Sequence, residues 1–247
     1  MPDTHGGNIF KFSHDHKINL SEVTDFSANI NLLGPSPKGL EALNERLRYI
    51  SHYPDVTNDD VMNTIVDVYG IEKDSILLGN GAAELIYAVG RLSGFTGAFV
   101  PAPGFSEYQA SMDAANIPVR EIFYRQRQND DGTPYFEVPY LALQTFAAEL
   151  KGQDGRIIVF LGNPNNPDGT LLDKQLIKVL AQMLKDANSL LVIDESFIDF
   201  IGDESLRDNS YSMRELINQY DNVIIVHSFT KFYAVPGLRI GAVFANP

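Results

Sequence analysis

The chain has 247 residues, 44% of them apolar and 21% charged, so it can bury a sizeable core and is a poor candidate for wholesale disorder. Its 19 Lys and Arg residues against 32 Asp and Glu residues give a formal net charge of −13, which disfavours non-specific binding to nucleic acid or to an anionic membrane. Because there is no cysteine, a disulfide scaffold, a thiolate metal site and a cysteine nucleophile are all excluded.

Predicted helices and strands alternate along the chain. Ser36 and Pro37 form an N-cap and N1 pair that begins one helix, and a second helix covers 59–68 before Gly70. Apolar spacing predicts further helices at 82–92, 105–115 and 172–185, and strands at 76–78, 98–100, 119–124, 157–161, 190–193, 223–226 and 240–244. The polar segment 125–139 is predicted to be a surface excursion. Apolar strands between helices indicate an α/β fold of three layers, a mostly parallel central sheet with helices on both faces.

Targeting and membrane signals are not apparent in the sequence. The N-terminal segment has no apolar run of the length that a secretory signal needs, and the longest apolar stretches are strand-sized. They fall well short of the roughly 18 residues of a membrane helix. We therefore expect a cytoplasmic protein that binds neither membranes nor nucleic acid.

Four segments that directly follow predicted strands carry most of the chemically useful residues. In a sheet of this kind, ligands bind at the carboxyl ends of the strands. The four segments are 79–84, 162–169, 194–197 and 227–231.

Each segment also has an ordinary structural explanation. The sequence at 79–84 can cradle a phosphate at a helix N-terminus or form a plain tight turn, and Glu84 stands where the dinucleotide fingerprint needs its third glycine. That departure speaks against a nicotinamide dehydrogenase. Asp194 alone could be an N-cap, and Lys231 and Arg239 alone could be surface residues. The Asn- and Pro-rich loop could be a rigid turn, although its place after a buried strand favours binding.

Taken together, these residues have one coherent use. A lysine in apolar surroundings can form an imine with an aldehyde cofactor, and a carboxylate can keep a pyridine nitrogen protonated. An asparagine can steady a phenolate oxygen, while a glycine turn, a serine and an arginine can hold a phosphate. This combination is typical of a pyridoxal 5′-phosphate site.

The chain resembles the aspartate aminotransferase-like, fold-type I pyridoxal-phosphate enzymes. Within them it is most similar to the L-threonine-O-3-phosphate decarboxylases, and the histidinol-phosphate aminotransferases are near relatives. The resemblance extends from His5 to the last residue and is carried by the motifs His5-Gly6-Gly7-Asn8, Asp25-Phe26-Ser27-Ala28-Asn29-Ile30-Asn31, Tyr53-Pro54-Asp55, Gly79-Asn80-Gly81, Asn163-Pro164-Asn165-Asn166-Pro167, Asp194-Glu195, Ser228-Phe229-Thr230-Lys231 and Gly237-Leu238-Arg239.

The resemblance implies a role in cofactor binding and catalysis for each matching residue. Lys231 would carry the cofactor as an imine and move protons, and Asp194 would pair with the pyridinium nitrogen. Tyr108 would stack on the pyridine ring, and Asn166 would bond the phenolic oxygen. The phosphate would be held by the backbone N–H groups of Gly81, Ala82 and Ala83 together with Ser228 and Arg239.

The resemblance also implies a substrate and a partner. His5, Gly6, Asn29 and Asn166 match positions that contact a small phosphorylated amino acid. Tyr53 would reach the cofactor phosphate of a second copy, which implies a homodimer with shared sites. No metal is expected.

Two departures from the usual aminotransferase pattern bear on the reaction. Phe197 stands where many aminotransferases have a tyrosine bonded to the phenolic oxygen, and Asp168 replaces a usual threonine. With the two N-terminal motifs, Phe197 favours decarboxylation of L-threonine O-3-phosphate to (R)-1-amino-2-propanol O-2-phosphate in cobalamin biosynthesis. The alternatives are histidinol-phosphate transamination, a related class I or II transamination, or a cofactor-free binding module on the same fold.

The resemblance further predicts the domain organisation. Residues 1–35 would form an N-terminal arm or small-domain segment, and residues 36–247 the cofactor-binding large domain. The arginines for the substrate's carboxylate and phosphate would lie in a small C-terminal domain missing from this sequence. We therefore expect a fragment that binds pyridoxal phosphate but turns over poorly.

Overall fold

The computed structural model describes residues 6–150, 155–202 and 205–247. Their strands are β1 (Ile76–Asn80), β2 (Phe95–Ala102), β3 (Val119–Phe123), β4 (Arg125–Gln128), β5 (Pro134–Glu137), β6 (Arg156–Gly162), β7 (Leu190–Asp194), β8 (Val223–Ser228) and β9 (Ile240–Ala245). Their α-helices are α1 (Ile9–His16), α2 (Pro37–Arg46), α3 (Asp59–Tyr69), α4 (Gly81–Val89), α5 (Ser106–Ala114), α6 (Tyr140–Leu150), α7 (Lys174–Asp186) and α8 (Phe229–Phe232). Short 3₁₀ helices occur at Leu20–Glu22, Leu47–Tyr49, Lys73–Ser75, Ile198–Phe200, Arg214–Asn218 and Pro236–Leu238.

Seven strands form one mixed sheet in the order β1-β9-β8-β7-β6-β2-β3. The pairs between β3, β2, β6, β7 and β8 are parallel, whereas β9 runs antiparallel to both β8 and β1. Strands β4 and β5 form a separate antiparallel hairpin. The α/β class and the mostly parallel sheet predicted from the sequence are confirmed.

The central strands β6, β7 and β8 are apolar and buried over most of their length, because both faces of the sheet are covered. In β6, Ile157, Val159 and Leu161 belong to one core, and Ile158 and Phe160 belong to the other. The first core also receives side chains from α3, α6 and α7, and the second from α4 and α5. The alternation follows from the two-residue period of a strand, which sends successive side chains to opposite faces.

Helix α7 shows why the chain folds locally as predicted. Its apolar residues recur at helical spacing, and Ile177, Leu180 and Leu184 are buried. The Asp173 carboxylate caps the helix by accepting hydrogen bonds from the backbone N–H groups of Gln175 and Leu176. This cap places the first helical residue at 174, two residues after the predicted start.

Some elements differ from the sequence-based expectations. Helices α1 and α6 were not predicted, and the polar segment 125–139 contains the β4–β5 hairpin. The direction of β9 was not predicted either, because an apolar strand looks the same in both directions. Within the described part of the chain, no helix has the length and apolar character needed to cross a membrane.

Candidate active site

A cavity of about 160 Å³ lies at the carboxyl ends of β6, β7 and β8. Residues predicted to hold the cofactor meet there from separate parts of the chain. The lining residues are Ala82, Ala83, Phe105, Tyr108, Pro164, Asn166, Asp194, Ser196, Phe197, Ser228, Thr230, Lys231 and Arg239.

Asp194 is the last residue of β7 and is 6% exposed. Its Oδ2 accepts a 2.8 Å hydrogen bond from the Tyr108 hydroxyl, and its Oδ1 accepts a 2.9 Å bond from the backbone N–H of Ser196. In the described part of the chain, no cationic side chain makes an ion pair with Asp194. A buried carboxylate of this kind is suited to bind a cationic atom of a ligand.

Lys231 lies in α8, the short helix that directly follows β8. Burial lowers the pKa of the Lys231 amine, and the Arg239 guanidinium lowers it further, against an opposing effect of Asp194. A lysine with a lowered pKa is more often a neutral amine at physiological pH, and the neutral amine is the form that attacks an aldehyde.

The start of α4 and the start of β9 meet at one corner of the cavity. Gly81 has φ +79°, and a Cβ at this position would lie 2.5 Å from Nη2 of Arg239. A Cβ at Gly241 would lie 2.7 Å from the backbone nitrogen of Ala82. The absence of both side chains therefore lets β9 and the Arg239 guanidinium lie against the helix N-terminus, where backbone N–H groups favour an anion.

Two hydroxyl groups lie on the β8 side of the same cavity. Oγ of Ser228 and Oγ1 of Thr230 form a 2.8 Å hydrogen bond with each other. Both side chains are buried, and both residues line the cavity. The described donors thus comprise two hydroxyls, one guanidinium and the first N–H groups of α4, a set that fits a phosphate group.

Two of the three asparagines in the loop after β6 have structural partners. Nδ2 of Asn163 donates to Oε1 of Glu195 and to the carbonyl oxygen of Tyr211, and its Oδ1 accepts from the N–H of Leu172. Nδ2 of Asn165 donates to the carbonyl oxygen of Pro103. Asn166 is the asparagine of this loop that lines the cavity.

Asp168 stabilises the same loop. Its Oδ1 accepts a 2.6 Å hydrogen bond from Nδ2 of Asn165, and its Oδ2 accepts a 2.8 Å bond from the Thr170 hydroxyl. Asp168 does not line the cavity. The carboxylate at this unusual position therefore connects parts of the loop that carries Asn166.

Some predicted residues lie outside the cavity. Asn29 lines a neighbouring cavity of about 350 Å³, which shares Asn166 and Phe197 with the first. Gly6 lies against Ser27, whose carbonyl oxygen would be 1.8 Å from a Cβ at Gly6. Tyr53 is 99% exposed, and His5 lies outside the described residues.

Several residues that line the cavity were not predicted from the sequence. Ser196 and Thr230 lie in two of the four segments that follow predicted strands, so their positions in the sequence already pointed to the cavity. Phe105 lies outside those four segments, so nothing in the sequence pointed to its place in the cavity. Tyr108 was expected to stack on a cofactor ring, and in the structure its own ring is stacked on Phe160 at 5.2 Å and 14°. Its bond to Asp194 was not predicted.

Comparison with known proteins gives the family. Residues 21–247 match the family model described as aminotransferase class I and II. The chain is 36% identical over 247 residues to the adenosylcobalamin biosynthesis bifunctional protein CobDQ of Leptospira interrogans, covering 98% of this chain and 26% of that protein. It is 32% identical to the threonine-phosphate decarboxylase of Salmonella typhimurium, covering 96% of this chain and 60% of that protein.

Histidinol-phosphate aminotransferases are similar to a comparable degree. The protein of that name from Haloferax volcanii is 32% identical over 222 residues, covering 89% of this chain and 56% of its own length. The crystal structure of histidinol-phosphate aminotransferase from Clostridium acetobutylicum superposes with a TM-score of 0.75 at 28% identity, covering 91% of this chain and 61% of that chain.

The chain thus spans about 60% of the length of the decarboxylase and aminotransferase relatives it matches. The match nevertheless covers nearly the whole of this chain and includes every strand of the sheet. The chain belongs to the class I and II aminotransferase family, whose cofactor is pyridoxal 5′-phosphate.

Proposed function

We propose that this cavity binds pyridoxal 5′-phosphate and that the protein decarboxylates L-threonine O-3-phosphate. The products would be carbon dioxide and (R)-1-amino-2-propanol O-2-phosphate, a building block for cobalamin. The observation that carries the choice of reaction is Phe197, which lines the cavity where many aminotransferases have a tyrosine hydroxyl. The decarboxylase names of two similar proteins support the same choice.

The residues present fit the cofactor. The Lys231 amine, which lines the cavity, would bond the aldehyde carbon, and the buried Asp194 carboxylate would accept a hydrogen bond from the protonated ring nitrogen. Gly81, Ala82 and Ala83 at the start of α4, with Ser228 and Arg239, would hold the phosphate. Asn166 would donate to the phenolic oxygen, and Tyr108 would contact the ring.

The bound cofactor supplies an electron sink for the bond broken at the substrate's Cα. Asp194 would keep that sink effective, since its carboxylate stabilises a proton on the ring nitrogen. The Lys231 amine would hold or return a proton at the substrate's Cα. The balance is simple: the substrate loses its carboxylate as carbon dioxide and gains one proton at the same carbon.

Substrate and partner contacts are part of the proposal. Asn29 lies beside Asn166 in the neighbouring cavity, which is consistent with a substrate contact, and His5 and Gly6 would join it. The two cavities together contain Lys231 and Arg239 but no further Lys or Arg among the described residues, so cations for the substrate's carboxylate and phosphate would come from elsewhere. Tyr53, fully exposed here, would reach the site of a second copy in a homodimer.

Transamination of histidinol phosphate is the second candidate. It is favoured by histidinol-phosphate aminotransferases that match at identities close to those of the decarboxylases. In that reaction, the Cα–H bond of the substrate would break, and Lys231 would remove the proton. In the decarboxylation, the bond between Cα and the carboxylate would break.

One experiment separates the two reactions. The complete gene product, loaded with pyridoxal 5′-phosphate, is incubated with L-threonine O-3-phosphate and separately with histidinol phosphate plus a keto acid. Carbon dioxide release from the first substrate, absent in Lys231→Ala, supports the decarboxylase. Keto-acid-dependent consumption of histidinol phosphate without carbon dioxide release would overturn it.

A further inference from the structure

The helix that carries Lys231 is too short for its backbone carbonyl groups to find hydrogen-bond donors within the helix. All four carbonyl groups of α8 lie at a helix end, where no intrahelical N–H group is available to them. The following residues supply part of what is missing, since the N–H of Tyr233 donates to Phe229 and the N–H of Val235 donates to Thr230. The N–H of Ala234 donates to the carbonyl oxygen of Lys231, whereas no backbone N–H of the described residues donates to the carbonyl oxygen of Phe232.

Asn31 supplies donors to both of these carbonyls. Its backbone N–H donates a 3.1 Å hydrogen bond to the carbonyl oxygen of Lys231, which also accepts from the N–H of Ala234. Its side-chain Nδ2 donates a 2.9 Å hydrogen bond to the carbonyl oxygen of Phe232. A residue 200 positions earlier in the sequence thus binds the C-terminal end of the lysine helix directly.

The Asn31 side chain is oriented by its own loop. Its Oδ1 accepts a 3.0 Å hydrogen bond from the N–H of Leu33, and its carbonyl oxygen accepts from the N–H of Gly34. With Oδ1 occupied in this way, Nδ2 is directed at α8. The same loop brings Asn29 and Ile30 to the neighbouring cavity beside Asn166.

We propose that Asn31 is a positioning residue for Lys231, because it fixes the short helix that carries this lysine to the N-terminal segment that reaches the second cavity. The inference rests on the catalytic role proposed for Lys231. Asn31 itself does not line the cofactor cavity, so it would act through the backbone of α8 and not by contact with a ligand.

The test measures Lys231 directly in the cofactor-free protein. A short pulse of acetic anhydride labels neutral amines, and mass spectrometry of the Lys231 peptide across a pH series gives the midpoint of labelling. The charged groups that act on this amine are Arg239 and Asp194, and both are left unchanged. The variants, both uncharged, are Asn31→Ser, which keeps an oxygen that can accept from Leu33 but removes the amide donor to Phe232, and Asn31→Ala, which removes both.

Asn222 provides a matched control. Its Nδ2 also bridges elements, donating to the carbonyl oxygens of Ala181 and Ser189, but it does not contact α8. Asn222→Ala should lower the free energy of unfolding and leave the Lys231 midpoint at the wild-type value. Both Asn31 variants should raise the midpoint by about half a pH unit towards that of an ordinary lysine, because a loosened helix exposes the amine to water.

Two results would overturn the proposal. One is an unchanged midpoint in both Asn31 variants with a loss of stability like that of Asn222→Ala, which would make Asn31 a purely structural residue. The other is a wild-type midpoint already at the ordinary lysine value. Since labelling needs no cofactor, either result is separate from failure of the proposed function, which would show as a lack of pyridoxal phosphate binding.

Discussion

The hydroxyl group of Tyr108 donates a 2.8 Å hydrogen bond to Oδ2 of Asp194, and both side chains are buried. The Tyr108 ring is stacked on Phe160, and the N–H of Ser196 holds the other carboxylate oxygen, so the carboxylate has one orientation before any ligand enters. Burial raises the pKa of Tyr108 well above its usual value, and the Asp194 charge raises it further, which keeps the hydroxyl a donor.

Replacing Tyr108 by phenylalanine should destabilise the cofactor-free protein. A hydrogen bond to a charged group contributes about 1.5–3 kcal/mol, and its loss leaves a buried carboxylate oxygen with fewer donors. Urea unfolding measures the change. Tyr124→Phe is the matched control, because the buried Tyr124 hydroxyl has no hydrogen-bond partner among the described residues. That control should be neutral or stabilising, and equal losses for the two variants would contradict the assigned bond.

Gly81→Ala should weaken binding of pyridoxal 5′-phosphate. The new Cβ would displace the Arg239 guanidinium, and the positive φ would add about 1–2 kcal/mol of backbone strain. We expect at least a tenfold rise in Kd, measured by absorbance titration, which corresponds to about 1.4 kcal/mol. Gly132→Ala is the control, because Gly132 has a similar positive φ but no atom of the described residues within 4 Å of the new Cβ. This variant should show the backbone strain alone. An unchanged Kd for Gly81→Ala would argue against a phosphate site at this corner.

Asp168 should tolerate asparagine but not alanine. Asparagine can still accept from Asn165 and can donate to the Thr170 hydroxyl, whereas alanine leaves both groups without this partner. Asp168→Ala should lower the free energy of unfolding by about 1–3 kcal/mol, and Asp168→Asn by much less. Chemical denaturation of the two variants makes the comparison. Equal losses would show that charge, and not hydrogen bonding, is what this position requires.

Stability should fall in acid partly through Asp199. Although burial alone would raise the pKa of Asp199, His227, the Tyr69 hydroxyl and Arg214 together lower it below its ordinary 3.8. A carboxyl with a lowered pKa in the folded state contributes stability that is present above about pH 4 and is lost as the pH falls through the folded value. The free energy of unfolding should therefore drop less steeply below about pH 4 in Asp199→Asn than in the wild type. Parallel curves would contradict this contribution.

The strands of the sheet could be predicted from the sequence because most of them are local runs of apolar residues. Strands such as β6 and β7 are buried on both faces, and they read as continuous apolar runs. Helix α1 buries no residue, and the β4 strand is exposed throughout, so neither has a clear apolar pattern. The antiparallel direction of β9 depends on its pairing with β1 and β8, which no local pattern records.

The site was predictable to the extent that it lies at strand ends. Asp194, Ser228 and Lys231 follow apolar strands, and the parallel topology brings them to one cavity. The partners of Tyr108 and Asn31 were not predictable in the same way. Each depends on a contact between distant parts of the chain, 86 residues apart for Tyr108 and Asp194 and 201 for Asn31 and Phe232.

The central claim is that this cavity binds pyridoxal 5′-phosphate through Lys231. The most direct measurement is to mix the protein with the cofactor, reduce with borohydride, digest, and locate the adduct by mass spectrometry. Lys185→Ala, which removes a surface lysine paired with Asp221, is the control for Lys231→Ala. We predict one adduct, on Lys231, that persists in Lys185→Ala and disappears in Lys231→Ala. Adducts spread over surface lysines, with Lys231 unmodified, would contradict the account.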